Sequence, residues 1–499
     1  MLKIIVKGTQ LRIVAPQRKE RDVLDNHIFK RYTTFAFKRN KFAKSEIAAV
    51  YAQVLPDGDI LLHANVLEDI KIALTMYNVL YTVEVETLAV AQPASFSMRD
   101  HIVLRDYQEK AITFLATDSP TPTKLLGFPA GTGKTISFLA YAAHIGKRVA
   151  LCAKPTYCSQ WLKVIPSVTT LTIQDIVFVN SAKQIVGLQK KLIDGSFTYS
   201  IVLFSNKALQ GYLKPKNTDR YLMPINDFMS RLGIQTLVID EVHEDLHFNY
   251  LLATAISVPQ LVGLSATLVT RDRKIESFQK IMFPIEDRYD LLLDNPYIEY
   301  IECTINYPFG VTPETSVRGS TAYSHIAYET WLLNNKVYLT QFLGSIYQIV
   351  HTAYLSRRNP GEKILIFAMR RTMCAAIYDA LTAILKDSLS IALHIEDSEY
   401  NTLLESDIII STPIKAGAAV DIPGLITVCS TYMTGSIQRL IQMLGRLRRI
   451  ENRDTIYVQM LAGGIEKQLN YQMMNKDIIQ ERTRNYHTMS LPTYDNLKR

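Results

Sequence analysis

Residues 128–135 read Phe128-Pro129-Ala130-Gly131-Thr132-Gly133-Lys134-Thr135, and this stretch decides the fold. It follows an apolar run at 124–128 and opens a run of helical character at 136–143. A glycine-rich loop between strand and helix lets backbone N–H groups and the helix N-terminus surround phosphates. Pro129, Ala130, Gly131, Thr132 and Gly133 would form that cradle, Lys134 would reach the β- and γ-phosphates, and Thr135 would hold magnesium. The strict pattern has glycine where Phe128 stands, with Gly127 one place early, but the Gly-x-Gly-Lys-Thr end is intact.

Further along, the apolar run 237–239 leads into Asp240-Glu241-Val242-His243. Two acids at the end of a buried strand put Asp240 beside a metal and let Glu241 orient or activate water. Alone, such a pair reads as a solvated loop. Beside a phosphate loop it reads as the other half of a hydrolytic site.

Working outward, apolar strand-like runs recur at 149–153, 201–204 and 261–264, with helical stretches between them, the pattern of a parallel, doubly wound sheet. A second such set begins near Lys363, at 364–367, 407–410, 426–429 and 455–459. Residues 1–95 read instead as short alternating strands joined by the turn Pro56-Asp57-Gly58-Asp59. The organisation expected is a small β-rich or α+β N-terminal domain at 1–95, an α/β domain at 96–300, a linker at 301–324 and a second α/β domain at 325–499.

At 499 residues the chain is long enough for about three domains. With 48% hydrophobic and 20% charged residues, 21 Gly and 19 Pro, collagen-like, extensively disordered and membrane-embedded classes are excluded. The uncharged stretch 248–270 is long enough to span a bilayer, but Asn249, Pro259, Gln260 and Ser265-Ala266-Thr267 favour buried helix and sheet. Five scattered cysteines form no Cys-x-x-Cys pair, which argues against a disulfide framework or structural zinc and fits a reducing compartment. Lys and Arg number 55 against 47 Asp and Glu, a formal +8 that favours a polyanionic partner.

The ordered motif set resembles the motor core of superfamily 2 helicases over residues 100–460. Leu104-Arg105-Asp106-Tyr107-Gln108 is similar to the adenine-reading segment, and a Gln108 amide suits a base edge because it offers a donor and an acceptor. Ala153-Lys154-Pro155-Thr156 followed by Gln160-Trp161, with Pro155 and Thr156 as the contacts, and residues 205–209 stand where the family contacts a nucleic-acid strand, and Ser265 and Thr267 where it couples nucleotide state to domain movement. In the second domain, 364–370 resembles the opening strand and turn, and 411–423 a segment touching nucleic acid through Thr412 and nucleotide through Asp421. The glycine usual two residues before that aspartate is Ala419 here. Residues 442–449 match Gln-x-x-Gly-Arg-x-x-Arg without a break, so the resemblance implies that Arg446 and Arg449 offset transition-state charge on phosphate. It also counts Arg105, His243 and Gln442 among the nucleotide contacts.

The fold class implied is α/β, with two tandem RecA-like parallel-sheet domains behind the N-terminal domain. The cofactors implied are ATP and Mg2+. Length and domain order look most similar to phage branched-DNA helicases of the UvsW type, which resemble the RecG class. The partner expected is DNA, branched or forked duplex with single-stranded regions, in the cytoplasm (of the host, for a phage protein), with no membrane and no oligomer implied. The motor of a restriction–modification system, an RNA helicase, and a nucleic-acid-binding scaffold with weak ATPase are the alternatives.

Residues 29–44 hold six basic residues, five aromatics and no acid. Lys30, Arg31, Lys38, Arg39, Lys41 and Lys44 could neutralise phosphates while the aromatics stack on bases. Equally, alternate aromatics could face a core beneath solvated lysines.

Overall fold

The computed structural model describes residues 1–40, 43–50, 52–129, 131–214, 220–266, 273–291, 296–307, 313–316, 323–395, 405–413, 422–450 and 452–491, with side chains for all of these except 31–50 and 273–275. The chain divides into two units, Met1–Leu291 and Leu292–Arg499.

The N-terminal residues form β1 (Leu2–Lys7), β2 (Gln10–Val14), β3 (Thr33–Asn40), β4 (Ala43–Val50), β5 (Gln53–Val54), β6 (Ile60–His63) and β7 (Tyr81–Val85). Five of them make a mixed sheet in the order β5-β6-β2-β1-β7, while β3 and β4 pair with each other as a hairpin. Helices α1 (Arg18–His27) and α2 (Leu67–Met76) complete this α+β layer.

The apolar runs of the phosphate-loop region become β8 (Thr123–Gly127), β9 (Val149–Ala153), β10 (Ile176–Val179), β11 (Ile201–Ser205), β12 (Thr236–Ile239), β13 (Gln260–Ser265) and β14 (Arg288–Asp290). They form one seven-stranded sheet in the order β10-β11-β9-β12-β13-β8-β14, and every pair in it is parallel. Helices α3 (Asp106–Ala116), α4 (Lys134–Ile145) and α5 (Pro155–Val168) fall within this region. Because β13 lies between β12 and β8, the loops leaving the carboxyl ends of those strands emerge side by side, where open α/β sheets bind ligands. Of the stretch 248–270, the described residues 248–266 include the end of the helix Leu246–Ala255 and the interior strand β13, most of them buried as expected. Among the described residues no helix is long and apolar enough to cross a membrane.

The N-terminal sheet is fused to this domain. One buried cluster takes in Ile4, Ile13 and Leu62 together with Leu237, Ile256 and Val258. Thr9 Oγ1 donates to Ile256 O at 2.9 Å, Gln10 Nε2 to Thr254 O at 2.7 Å, and Asn65 Nδ2 to Thr123 Oγ1 at 2.8 Å. Gly8 has φ +56, and a Cβ there would stand 2.2 Å from Val258 O, so only glycine permits this approach.

The second unit contains β15 (Ile298–Ile305), β16 (Lys363–Phe367), β17 (Ile391–His394), β18 (Ile408–Ser411), β19 (Leu425–Ser430), β20 (Thr455–Ala462) and β21 (Asn485–Leu491), another parallel sheet, in the order β17-β18-β16-β19-β20-β15-β21. Ile364, Ile366, Ile408 and Ile410 enter one buried cluster while Leu365, Phe367 and Ile409 enter another. Both faces are covered, which is why these strands read as unbroken apolar runs.

The expected boundary needs correction. Residues 296–305 do not close the first domain and open a linker: Ile298–Ile305 is an interior strand of the second sheet, paired with β20 and β21. Its sequence, IEYIECTI, alternates in burial, so its short apolar positions gave no continuous run to mark a parallel strand.

Candidate functional site

β8 delivers the phosphate-loop sequence to the start of α4. Gly131 and Gly133 have φ +81 and +89, values that glycine adopts without a steric penalty. Gly133 is the N-cap of α4, so the first helical amides face the loop. Thr132 Oγ1 donates to Pro129 O at 2.7 Å and closes the turn. Ala130 lies outside the described residues. Lys134 Nζ donates to Phe128 O at 3.0 Å, and Thr135 is the second residue of α4.

The departure at Phe128 has a packing reason. Its ring is fully buried, between Tyr107 (centroids 5.7 Å apart) and Tyr289 (5.7 Å). Gly127 serves the sheet, since a Cβ there would meet the Asp290 carboxylate at 1.7 Å.

Gln108 is buried. Its Oε1 accepts the Arg105 N–H at 2.9 Å, capping α3, and its Nε2 lies 3.4 Å from Thr132 O. Tyr107 Oη donates to Thr132 O at 2.9 Å and accepts from Arg105 Nη1 at 3.0 Å. The segment expected to read adenine therefore also braces the phosphate loop. Buried Lys124, an unusual residue for an interior strand, donates to Phe114 O at 2.6 Å near the carboxyl end of α3.

The acidic pair follows β12. Glu241 has φ +46, a left-handed conformation costing a non-glycine residue roughly 1–2 kcal/mol. It is held there by the Lys134 ammonium at 3.6 Å from Oε1 and the Ala266 N–H at 3.3 Å from Oε2. Burial alone would raise its carboxyl, but Lys134, His243 and the Ala266 N–H outweigh it and hold the group below the usual carboxylate range. Asp240 goes the other way: burial and neighbouring Glu241 push it up, against a hydrogen bond from Trp161 Nε1 to Oδ2 at 2.8 Å.

His243 is buried, with Nδ1 2.8 Å from Ser265 Oγ and 3.3 Å from Glu241 Oε2. Burial holds its imidazole below the ordinary value despite Glu241. It joins the acidic pair to Ser265, one of the residues expected to take part in coupling. Thr267 lies outside the described residues.

Pro155 is the first residue of α5 and Thr156 is exposed there. Lys154 and Trp161 of the same motif, with Tyr157 between them, hold this helix to the segment of the acidic pair: Lys154 Nζ lies 2.5 Å from Glu244 Oε2, Tyr157 Oη donates to Glu244 Oε1 at 3.0 Å, and Trp161 Nε1 donates to Asp240. The four-residue spacing of Tyr157 and Trp161 shows one helix face. What that face meets is set by the β9–β12 pairing, which local sequence does not report.

In the second unit, Gln442 lies in the helix Ile437–Leu444, and the chain leaves the helix before Arg446, which is buried, and Arg449, which is exposed. Arg448 Nη1 donates to Gly445 O and Tyr297 Oη to Leu447 O at 3.0 Å, fixing this turn. Thr412 follows β18 and is half-buried, whereas Asp421 lies outside the described residues. The turn after β16 is clamped by fully buried Glu329, which accepts the Met369 N–H at 2.8 Å and the Arg370 N–H at 2.6 Å.

Of the aromatic-basic segment, Phe29 is a core residue rather than a stacking platform, with the Arg21 guanidinium 5.3 Å from its ring centroid. Lys30 is exposed and donates to Asn26 Oδ1 at 2.7 Å. The side chains of Arg31, Lys38, Arg39 and Lys44 lie outside those described, and Lys41 lies outside the described residues altogether.

No family model matches the chain. Over 206 residues it is 25% identical to the XPB/SSL2 helicase/translocase subunit of general transcription and DNA repair factor IIH from Saccharomyces cerevisiae, covering 40% of this chain and 23% of that one. Over 293 residues it is 24% identical to the XPB helicase/translocase subunit of the TFIIH basal transcription factor complex from Trypanosoma brucei brucei, covering 54% and 29%. The matches thus span less than a third of these relatives' own length. Among solved structures the fold is similar to S. cerevisiae Dbp5 bound to RNA and ADP BeF3, with TM-score 0.50 and 15% identity over 79% of this chain and 91% of that chain. The chain is superfamily 2 helicase-like. Its two parallel sheets are the tandem RecA-like domains of that fold, with the N-terminal sheet joined to the first.

Proposed function

We propose that the chain is an ATP-driven DNA motor that unwinds or remodels branched DNA, such as forks and Holliday junctions, in replication, recombination or repair. The observation that carries the reading is the convergence of the phosphate loop and acidic pair: Lys134 Nζ lies 3.6 Å from Glu241 Oε1, and half-buried Asp240 is the next residue in the chain. The residues fit an ATP–magnesium complex. Left-handed Gly131 and Gly133 leave a cradle at a helix N-terminus, and a Cβ on Gly133 would stand 2.3 Å from Gln108 Nε2.

ATP bound there supplies the phosphoanhydride whose hydrolysis drives the motor. With that group bound, Lys134 would give its charge to phosphate instead of Glu241, Thr135 and Asp240 would hold the metal, and Glu241 would orient a water and take its proton. Arg446 and Arg449 carry the charge-offsetting role that the motif match gives them. Pro155, Thr156 and Thr412 would lie along a strand, and the N-terminal domain would select the branch. The DNA reading draws on relatives named as subunits of a DNA repair factor. The branched-substrate reading draws on the UvsW-type resemblance, which also makes a phage protein in the host cytoplasm the setting we favour; all five cysteines are buried and free, in keeping with a reducing compartment.

ATP hydrolysis measured with and without nucleic acid tests the motor. DNA-stimulated turnover that disappears in Lys134→Ala is expected, and turnover unchanged in that variant would overturn the site. Unwinding measured side by side on forked DNA, Holliday junctions and RNA duplexes tests the substrate. A preference for RNA would sink the branched-DNA reading.

A further inference from the structure

α5 makes three polar ties to the segment that carries the acidic pair. Lys154, its N-cap, and Tyr157, in its first turn, both hold Glu244, and Trp161, one turn on, donates its only N–H to Asp240 Oδ2 at 2.8 Å. Trp161 is buried, and its indole meets the ring of Phe138, on the phosphate-loop helix α4, edge-on at a centroid distance of 6.4 Å. An indole ring has no other hydrogen-bonding atom. Apolar packing would be as well served by Phe or Leu, so the N–H directed at the carboxylate of half-buried Asp240 is the feature that needs a reason.

We propose that Trp161 is a positioning residue that fixes the Asp240 carboxylate for its metal and transmits to it any displacement of α5. Packing against Phe138 stops the indole from rotating away, and the hydrogen bond leaves the carboxylate one orientation. The exposed end of the same helix carries Pro155 and Thr156, so a strand lying on those residues pulls on Asp240 through a single rigid element. The proposal rests on the motor reading given above and adds to it the route from strand to metal ligand.

Trp161→Phe keeps a ring against Phe138 and removes the N–H. With the full-length protein, three readings are taken: melting temperature, the Mg2+ concentration giving half-maximal ATP turnover, and tryptophan emission of the nucleotide-free protein on adding a single-stranded oligodeoxythymidylate. The variant should melt close to wild type yet need about tenfold more Mg2+, the loss of one charge-assisted hydrogen bond. The wild-type emission change on adding oligonucleotide should be absent from the variant. Equal Mg2+ requirement in the two proteins, or an equal emission change, overturns the proposal. A wild type with no DNA-stimulated turnover at all overturns the motor reading instead, while the emission comparison still judges the route. If Trp161→Phe does not fold, Tyr157→Phe removes the neighbouring tie to Glu244; DNA stimulation reduced several-fold supports the route, and stimulation equal to wild type overturns it.

Discussion

A methyl group at Gly133 should separate a structural cost from a functional one, because α4 has a left-handed glycine at each end. Gly133 has φ +89 and Gly146 has φ +59. Alanine at either position incurs the left-handed penalty, roughly 1–2 kcal/mol. At Gly146 nothing lies within 4 Å of the new Cβ, so the penalty stands alone. At Gly133 the Cβ would stand 2.3 Å from Gln108 Nε2, the end of a flexible side chain that must swing out. That movement breaks the bond from Arg105 N–H to Gln108 Oε1, 2.9 Å long, which caps α3. Losing such a cap costs about 1 kcal/mol, so Gly133→Ala should lose about 2–3 kcal/mol in total. Thermal unfolding should show a fall of about 5–10 °C for Gly133→Ala and about 3–5 °C for Gly146→Ala. Binding of a fluorescent ADP analogue should weaken at least about tenfold in the first, whose methyl enters the phosphate cradle, and stay at wild-type strength in the second. Two variants with equal melting temperatures and equal nucleotide affinity would refute the account of the loop.

Three further outcomes are expected. Glu241→Gln should keep nucleotide affinity within a few-fold while steady-state turnover falls at least about 100-fold, the range for losing a general base. Burial lowers the His63 imidazole from 6.5 to about 3, so between those values the unfolded chain binds a proton that the folded chain does not. Stability is therefore full above pH 6.5 and falls as pH drops, by about 2 kcal/mol at pH 5; denaturant midpoints at pH 7 and 5 should show this slope, and His63→Gln should flatten it. Glu329→Ala strands the Met369 and Arg370 N–H groups and should destabilise the second unit by about 2–5 kcal/mol, seen in its melting transition, with Glu329→Gln milder because it keeps an acceptor.

The site was legible in the sequence where its chemistry is local. Gly131, Gly133, Lys134 and Thr135 are neighbours in the chain, and Asp240 and Glu241 end an apolar run, so residue type and spacing were enough. Parallel strands with both faces buried, such as Ile364 to Phe367, were equally plain. What escaped depends on contacts across the sheet. Trp161 meets Asp240 only because β9 pairs with β12, and Phe128 replaces a glycine only because Tyr107 and Tyr289 receive its ring. The strand Ile298–Ile305 reads locally as a boundary because its polar alternates break the apolar run, although its partners are residues far along the chain. The segment 29–44 mixed one core residue, Phe29, with a hairpin, a distinction composition cannot draw.

That same strand has a consequence in time. β15 is the earliest strand of the second sheet to be synthesised, yet its two partners, β20 and β21, are the last. On the ribosome, the first unit has all the strands of its sheets by Asp290 and can fold while the rest is being made. The second must wait with Ile298–Ile305 unpaired until Ala462 has emerged, and its sheet is complete only at Leu491. Apolar strands that stay open through such an interval invite pairing with other chains, so premature termination between β16 and β20 should leave a folded first unit attached to an aggregating tail.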